Sequence, residues 1–387
     1  MGFLTPYLLS IADWPADLLT TREVISRMVS TLGGGLPSET VGEMVQVLDV
    51  VNSYSSNRME GNPTHIGDIF NARDGHFIPT TIGRNFQLEH LAHLQVSAFI
   101  RESVPQGRPC SREFLREIHR QFYTALPEEL RFATLMTGEK VPIRPGEWRT
   151  APATVGRFQT PTPDQIDAIM EEFENAYHPD RVEPVDQLGA LAASHHRFLW
   201  AHPFSDGNGR VARLMSDALA LRWGVGGKGL YSISRGLARR RADYDSALAQ
   251  ADASRLNDLD GRGNLSRQGL IAFTRFYLET MADQIQFIGG LLDFSELQGR
   301  WETFLQSQES AGLLSRSEAA VLRPLLRQGW IRRGDIQILA RLERRQATNV
   351  AAKLLKGGWV QSDSVKGPLS LRIGKEAARA LFPEFFE

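Results

Sequence analysis

His202, Asp206, Gly207, Asn208, Gly209, Arg210 and Arg213 fall within twelve residues of this 387-residue chain. Glycines let neighbouring backbone N–H groups converge, and a helix that begins there leaves further donors unpaired. Gly207-Asn208-Gly209 ahead of an apolar-striped helix is therefore a seat for an anion such as phosphate. A Gly-x-Gly alone is equally a cap or a tight turn; its neighbours decide the matter. A neutral imidazole at His202 could take the proton of an attacking hydroxyl. Asp206 offers the hard oxygen that Mg2+ prefers, or else it caps the helix. Only one carboxylate is in view, so a cation there would draw its other ligands from phosphate oxygens and water. Arg210 and Arg213 are three residues apart, share a helix face and can grip a polyphosphate tail. The cluster reads as a site that holds nucleotide phosphates beside a general base.

Helices must position these groups. The spacing of Val211, Leu214, Met215 and Ala218 predicts a helix from the Gly-Asn-Gly stretch to about Arg222, its arginines on the flank away from the core. The same periodicity predicts helices at 38–57, 85–104, 112–126, 164–176 (capped by Asp164), 188–200, 238–254 and 268–289. Residues 1–35 are weakly patterned and end in Gly33-Gly34-Gly35, a flexible joint, and Gly61-Asn62-Pro63 halts any continuation of the 38–57 helix. Residues 141–164 are rich in Pro, Gly and Thr and predict extended or hairpin structure at the surface.

Beyond about Ser295 the pattern changes. Helices are expected at 317–328, 335–341 and 343–356, followed by Trp359–Gln361 and Leu369–Ile373 flanking a Lys366-Gly367-Pro368 turn. That order is a winged helix-turn-helix domain. Residues 331–356 hold seven basic side chains against two acidic in a chain of net charge −1, and Gln346, Thr348 and Asn349 could reach base edges. DNA is thus an expected partner of this domain, with protein binding or simple packing as the alternative. The near-neutral total argues against wholesale coating of nucleic acid. One cysteine, Cys110, excludes an internal disulfide framework and fits a reducing compartment. The start lacks the features of a signal peptide and no stretch is apolar enough to span a membrane, so the expectation is a cytoplasmic protein without a membrane partner.

Residues 202–213 resemble the Fic family of protein adenylyltransferases, meeting every fixed position of its signature His-x-Phe-x-Asp/Glu-Gly-Asn-Gly-Arg-x-x-Arg; Ser194–Trp200 is similar to the helix that precedes it. The resemblance implies an all-α fold with a β-hairpin flap, in addition to the C-terminal winged domain of α+β type. It gives three regions: 1–109 with an inhibitory helix, 110–290 as catalytic core with flanking helices, and 295–387 as winged helix. It further implies Mg2+-dependent transfer of AMP from ATP to a Ser, Thr or Tyr hydroxyl of a target protein or of the chain itself. His202 would be the base and Asp206 the metal ligand. Gly207, Asn208, Gly209, Arg210 and Arg213 would hold phosphates, and Tyr244 would lie near the nucleoside or in the core. Gly156, Arg157, Phe158, Gln159 and Thr160 would form the flap that docks the target. Ser56-Asn57-Arg58-Met59-Glu60-Gly61 is similar to the family's inhibitory motif, with Glu60 pairing Arg213 and Ser56 tying the helix down. AMP removal, another nucleotide donor, a nucleotide-sensing DNA regulator and a homodimer remain open alternatives or additions.

Overall fold

The computed structural model describes residues 9, 11–105, 107–134, 138–156, 158–261 and 263–386. Seventeen helices succeed one another along these residues. They begin with α1 (Ala16–Thr31), α2 (Ser38–Met59), α3 (Ile66–Arg73), α4 (Thr81–Ser103) and α5 (Arg112–Thr124). Two antiparallel hairpins follow, β1 (Phe132–Thr134) with β2 (Lys140–Pro142), then β3 (Thr154–Val155) with β4 (Phe158–Gln159). Next come α6 (Ile166–Ala176), α7 (Gln187–Ala201), α8 (Asn208–Arg222), α9 (Ile233–Arg239), α10 (Arg241–Ala251) and α11 (Arg267–Leu291). The remainder runs α12 (Phe294–Ser310), α13 (Arg316–Leu322), α14 (Leu325–Gln328), β5 (Trp330–Ile331), α15 (Asp335–Ala340), α16 (Arg344–Lys356), β6 (Val360–Gln361), β7 (Leu369–Leu371) and α17 (Lys375–Leu381).

The chain forms two compact units, Met1–Ser30 with Asn52–Ile285 and Thr31–Val51 with Gln286–Glu387. The first is centred on α7. Every residue from Leu188 to Phe198 of this helix is buried, the condition of a helix covered on all faces. Its polar members survive there because they are partnered: His195 bonds Ser216 and Tyr244, and His196 bonds Asp252. α8 is equally enclosed. Arg210 and Arg213 are 8% and 2% exposed, so they are buried groups and not a solvent-side flank.

In the second unit, β7 lies between β5 and β6, antiparallel to both, with Ile331 opposite Leu369 and Val360 opposite Leu371. Leu322, Leu326, Ile336, Leu354 and Leu371 fill its core. Capping boxes start α13 (Ser315 with Glu318) and α16 (Glu343 with Gln346). No helix among the described residues is long and apolar enough to cross a membrane.

Several elements differ from the periodicity reading. α1 forms within the weakly patterned start; it buries only Leu18 and Ile25, too few to print a helical period. The 238–254 pattern is two helices broken at Arg240, and 317–328 is two helices separated at Pro324. Residue Thr162, not Asp164, caps the chain's entry to α6, in a box with Gln165 ahead of a 3-10 turn. α3, α12, α17 and the β1–β2 hairpin had not been expected.

Candidate active site

α7 ends at His202, whose backbone turns left-handed (φ 47°), and the loop 203–206 leads into α8. Gly207 caps α8 at φ 78°, a conformation that favours glycine. The Asn208 side chain closes the loop: its Oδ1 accepts from Phe204 N at 2.9 Å and its Nδ2 donates to Phe204 O at 2.8 Å. That amide is therefore a staple of the loop, a part it plays beside the phosphate contact expected of it; its second Nδ2 hydrogen and its backbone N–H at the helix start remain for an anion. Asn208→Ala should destabilise the protein by about 2–4 kcal/mol by stranding two backbone groups, which a urea titration would measure. Phe204 is buried and stacked on His119 with centroids 3.9 Å apart, fixing the loop from below.

His202 is held low, at a pKa of about 4, first by burial and then by the nearby Arg149 guanidinium. It is neutral at pH 7, the form that can accept a proton. Arg149 was not singled out in the sequence. It is buried, donates from Nε to His202 O at 2.7 Å, and from its other nitrogens to Ala151 O and Thr160 Oγ1, both at 3.0 Å. It thereby joins the base of the β3–β4 hairpin to the residue that carries the imidazole. The hairpin turns at Gly156 (φ 58°); Phe158 packs on Trp200 at 5.9 Å and Gln159 pairs with Thr154. Thr160 bonds Ala153 O. Arg157 lies outside the described residues.

Asp206 receives the Tyr123 hydroxyl and Arg210 Nη2, the latter at 3.0 Å. Burial raises its pKa, but Arg210 and the Tyr123 hydrogen bond outweigh that and hold the carboxyl below its ordinary value. Arg210 also meets Glu89 at 3.4 Å and sits over the Phe122 ring at 4.7 Å. Among the described residues no three His, Cys, Asp or Glu side chains gather as a metal cage. Asp206, half-exposed at 46%, has Oδ1 to offer a cation that brings other oxygens with it. The donor set fits Mg2+ delivered with phosphates and does not fit a protein-only site.

Glu60 and Ser56 come to the same place from α2. Gly61 (φ 91°) terminates that helix: its N–H bonds Arg58 O and the Asn62 N–H bonds Asn57 O, the two bonds of a Schellman turn. This aims Glu60 at α8. Arg213 donates to Ser56 Oγ at 2.8 Å, Ser56 O at 3.1 Å and Glu60 Oε1 at 2.5 Å. Burial alone would raise the Glu60 pKa, but the guanidinium groups of Arg213 and Arg210 hold it below the ordinary value. The same Oε1 presses on Gly209, where any Cβ would collide with it. An anionic group thus already sits against the glycine seat at the head of α8.

A cavity opens beside this pair, lined by Glu60, Phe158, Trp200, His202, Arg213, Tyr244 and Asp252 among others. Tyr244 is both buried and in the cavity wall, its hydroxyl fixed by His195 at 2.7 Å, so its two expected roles coexist. Tyr123, Glu89, Arg149 and Asp252 escaped the sequence reading because their parts depend on contacts 53 to 121 residues away; no local spacing signals them.

Residues 109–220 match the model of the Fic/DOC family. The chain is 30% identical over 104 residues to the protein adenylyltransferase Fic of Drosophila mojavensis, covering 27% of this chain and 21% of that one. It is 30% identical over 129 residues to that of Drosophila virilis, covering 33% and 23%. The chain thus spans about a fifth of the length of these curated relatives. In fold it is similar to a Fic family protein from Desulfovibrio desulfuricans, with a TM-score of 0.55 at 14% identity over 96% of this chain and 98% of that one. It is also similar to a Fic domain containing signaling protein from Bacteroides thetaiotaomicron, with a TM-score of 0.53 at 20% identity over 71% and 97%.

Proposed function

We propose, on the premise that this chain is a Fic/DOC family protein, that it transfers AMP from ATP to a protein hydroxyl and that Glu60 holds this activity in check. The observation that carries the reading is the neutral His202 beside an anion seat whose arginine is paired to a carboxylate from another helix. Phosphate binding alone needs no base; a base next to phosphate calls for a nucleophile. The names of the curated relatives supply the adenylyl group and the protein acceptor.

In the proposed step a target hydroxyl, laid along the exposed edge of the β3–β4 hairpin, gives its proton to His202. Its oxygen bonds to the α-phosphorus as the bond to the bridging oxygen breaks, and pyrophosphate leaves. The backbone N–H groups at the head of α8 and the Arg213 guanidinium face the charge on the phosphates. Asp206 would hold Mg2+, which when bound neutralises part of that charge. Tyr123 and Arg210 keep the Asp206 carboxylate in one orientation. Glu60 opposes all this, because a triphosphate and the carboxylate compete for one guanidinium and one glycine seat.

The test is incubation with ATP labelled at the α- or the γ-phosphate. Label from the α-position should remain on protein and label from the γ-position should not. His202→Ala should lower incorporation by roughly 10²- to 10⁴-fold, the usual worth of a positioned base. Incorporation of the γ-label would make the chemistry a different transfer.

For the second unit we infer a winged helix-turn-helix that contacts duplex DNA. The support is the order helix, strand, helix, helix, strand, strand, with Arg344, Arg345, Thr348 and Asn349 of α16 all exposed.

A further inference from the structure

Tyr123 lies in the last turn of α5 and reaches Asp206 across 83 residues of chain. It is 2% exposed, and its ring is fixed against His119 and Phe122, with centroids 4.6 Å and 5.3 Å away. Gly207 provides the space it needs: a Cβ there would stand 2.9 Å from the phenol oxygen and 3.0 Å from the ring. Glycine at 207 thus does two things. It takes the left-handed turn and it admits a hydroxyl beside the head of α8.

Three side chains then close on one another. Arg210 Nη2 donates to the Tyr123 hydroxyl at 3.2 Å and to Asp206 Oδ2 at 3.0 Å. A guanidinium can only donate, so the phenol oxygen accepts from it and the phenol proton goes to Asp206 Oδ2. Arg210 is anchored on its other side by Glu89 at 3.4 Å. A carboxylate has about four lone-pair sites, two on each oxygen. Both sites of Oδ2 are taken. The Gly207 backbone N–H also faces this carboxylate, and at least one site of Oδ1 stays open. The Asp206 side chain is 46% exposed, enough for a ligand to reach it.

A carboxylate that presents one oxygen suits one kind of cation. Mg2+ is small, demands near-octahedral geometry and keeps several waters, whereas Ca2+ takes about six to eight oxygens and accepts both atoms of a carboxylate. We propose that Tyr123 is a positioning residue that makes Asp206 a one-oxygen ligand and thereby favours Mg2+ over larger cations at the phosphate seat. The inference rests on the nucleotide reading of the site and on Asp206 as the metal ligand.

The experiment is calorimetric titration of ATP into Glu60→Gly protein without metal, with Mg2+ and with Ca2+. Mg2+ should tighten ATP binding more than Ca2+ does. Tyr123→Phe, added to Glu60→Gly, keeps the ring against Gly207 and His119 and deletes one hydrogen bond. It should cut the Mg2+ gain by about tenfold, the low end for a lost partner of a metal-ligating group, because Arg210 remains. Metal-free ATP binding should be unchanged, and the preference for Mg2+ over Ca2+ should narrow. An undiminished Mg2+ gain overturns the proposal. So does weakening by the same factor with Mg2+ and Ca2+, which is what a merely structural phenol would give. Asp206→Ala is the reference: if it retains the Mg2+ gain, the metal reading falls and this inference with it. If Glu60→Gly protein binds no ATP under any condition, the nucleotide reading falls, again with this inference.

Discussion

Glu60→Gly should raise AMP incorporation over the native chain by roughly 10- to 100-fold. The size follows from the contact it removes. Hydrogen bonds to charged groups are worth about 1.5–3 kcal/mol, and each 1.36 kcal/mol is about tenfold in rate. Glu60 is a third exposed, at 34%, so solvent weakens the pair and the lower part of that span is the better expectation. The carboxylate also lies against Gly209, so its removal frees the seat as well as the guanidinium. Glu60→Gln separates these effects: it discharges the group and keeps its bulk, and should activate less than Glu60→Gly. Ser56→Ala should activate least, since Arg213 retains the Ser56 carbonyl and Glu60. The measurement is the fraction of protein gaining the mass of one AMP in time. Equal rates in native and Glu60→Gly protein would mean that the Arg213–Glu60 pair is structural and does not govern turnover.

The chemistry was legible in the sequence where it is contiguous. His202, Asp206, Gly207, Gly209 and Arg213 lie on one loop and one helical start, so spacing alone brings them together. Glu60 was legible only through the resemblance of Ser56–Gly61 to the family's inhibitory motif. In the structure Gly61 ends α2 in a left-handed turn, and the four-residue step from Ser56 puts both on the face that meets Arg213. What spacing could not give was the second rank of contacts. Nothing near Arg149 in the chain announces that it will bond the carbonyl of His202. Nor does anything local tie Tyr123 to Asp206, or His196 to Asp252. Asn208 shows a second limit: the spacing suggested an amide that meets a phosphate and gave no sign that the same amide locks its own loop. The arginines of α8 were expected on the flank away from the core because a stripe of four apolar residues defines one buried face. The helix is enclosed on the others by elements that its own sequence does not reveal.

Acidification should unfold the first unit well above the pH at which carboxylates titrate. His90, His93, His119 and His195 are buried, and burial holds each at a pKa of about 3, against 6.5 for the free side chain. The folded form keeps these rings neutral while the unfolded chain takes up their protons. Stability is therefore complete above about pH 6.5 and is lost as pH falls from there toward 3. Each ring contributes about 1.4 kcal/mol per pH unit in that window, so four give a slope of about 5 kcal/mol per unit. Against a usual domain stability of about 5–15 kcal/mol, the midpoint should fall in the region of pH 5. His93 isolates the effect, since neither of its ring nitrogens has a hydrogen-bond partner among the described residues. His93→Leu removes one titrating group without breaking a hydrogen bond. It should lower the number of protons taken up on unfolding by one and move the acid midpoint downward. All nine histidines of the chain fall between residues 65 and 202, within the first unit. The second unit has none, so its own unfolding should lack this slope. Urea denaturation between pH 5 and 7.5 would measure the proton uptake directly, and an unchanged slope in His93→Leu would assign the acid sensitivity to other groups.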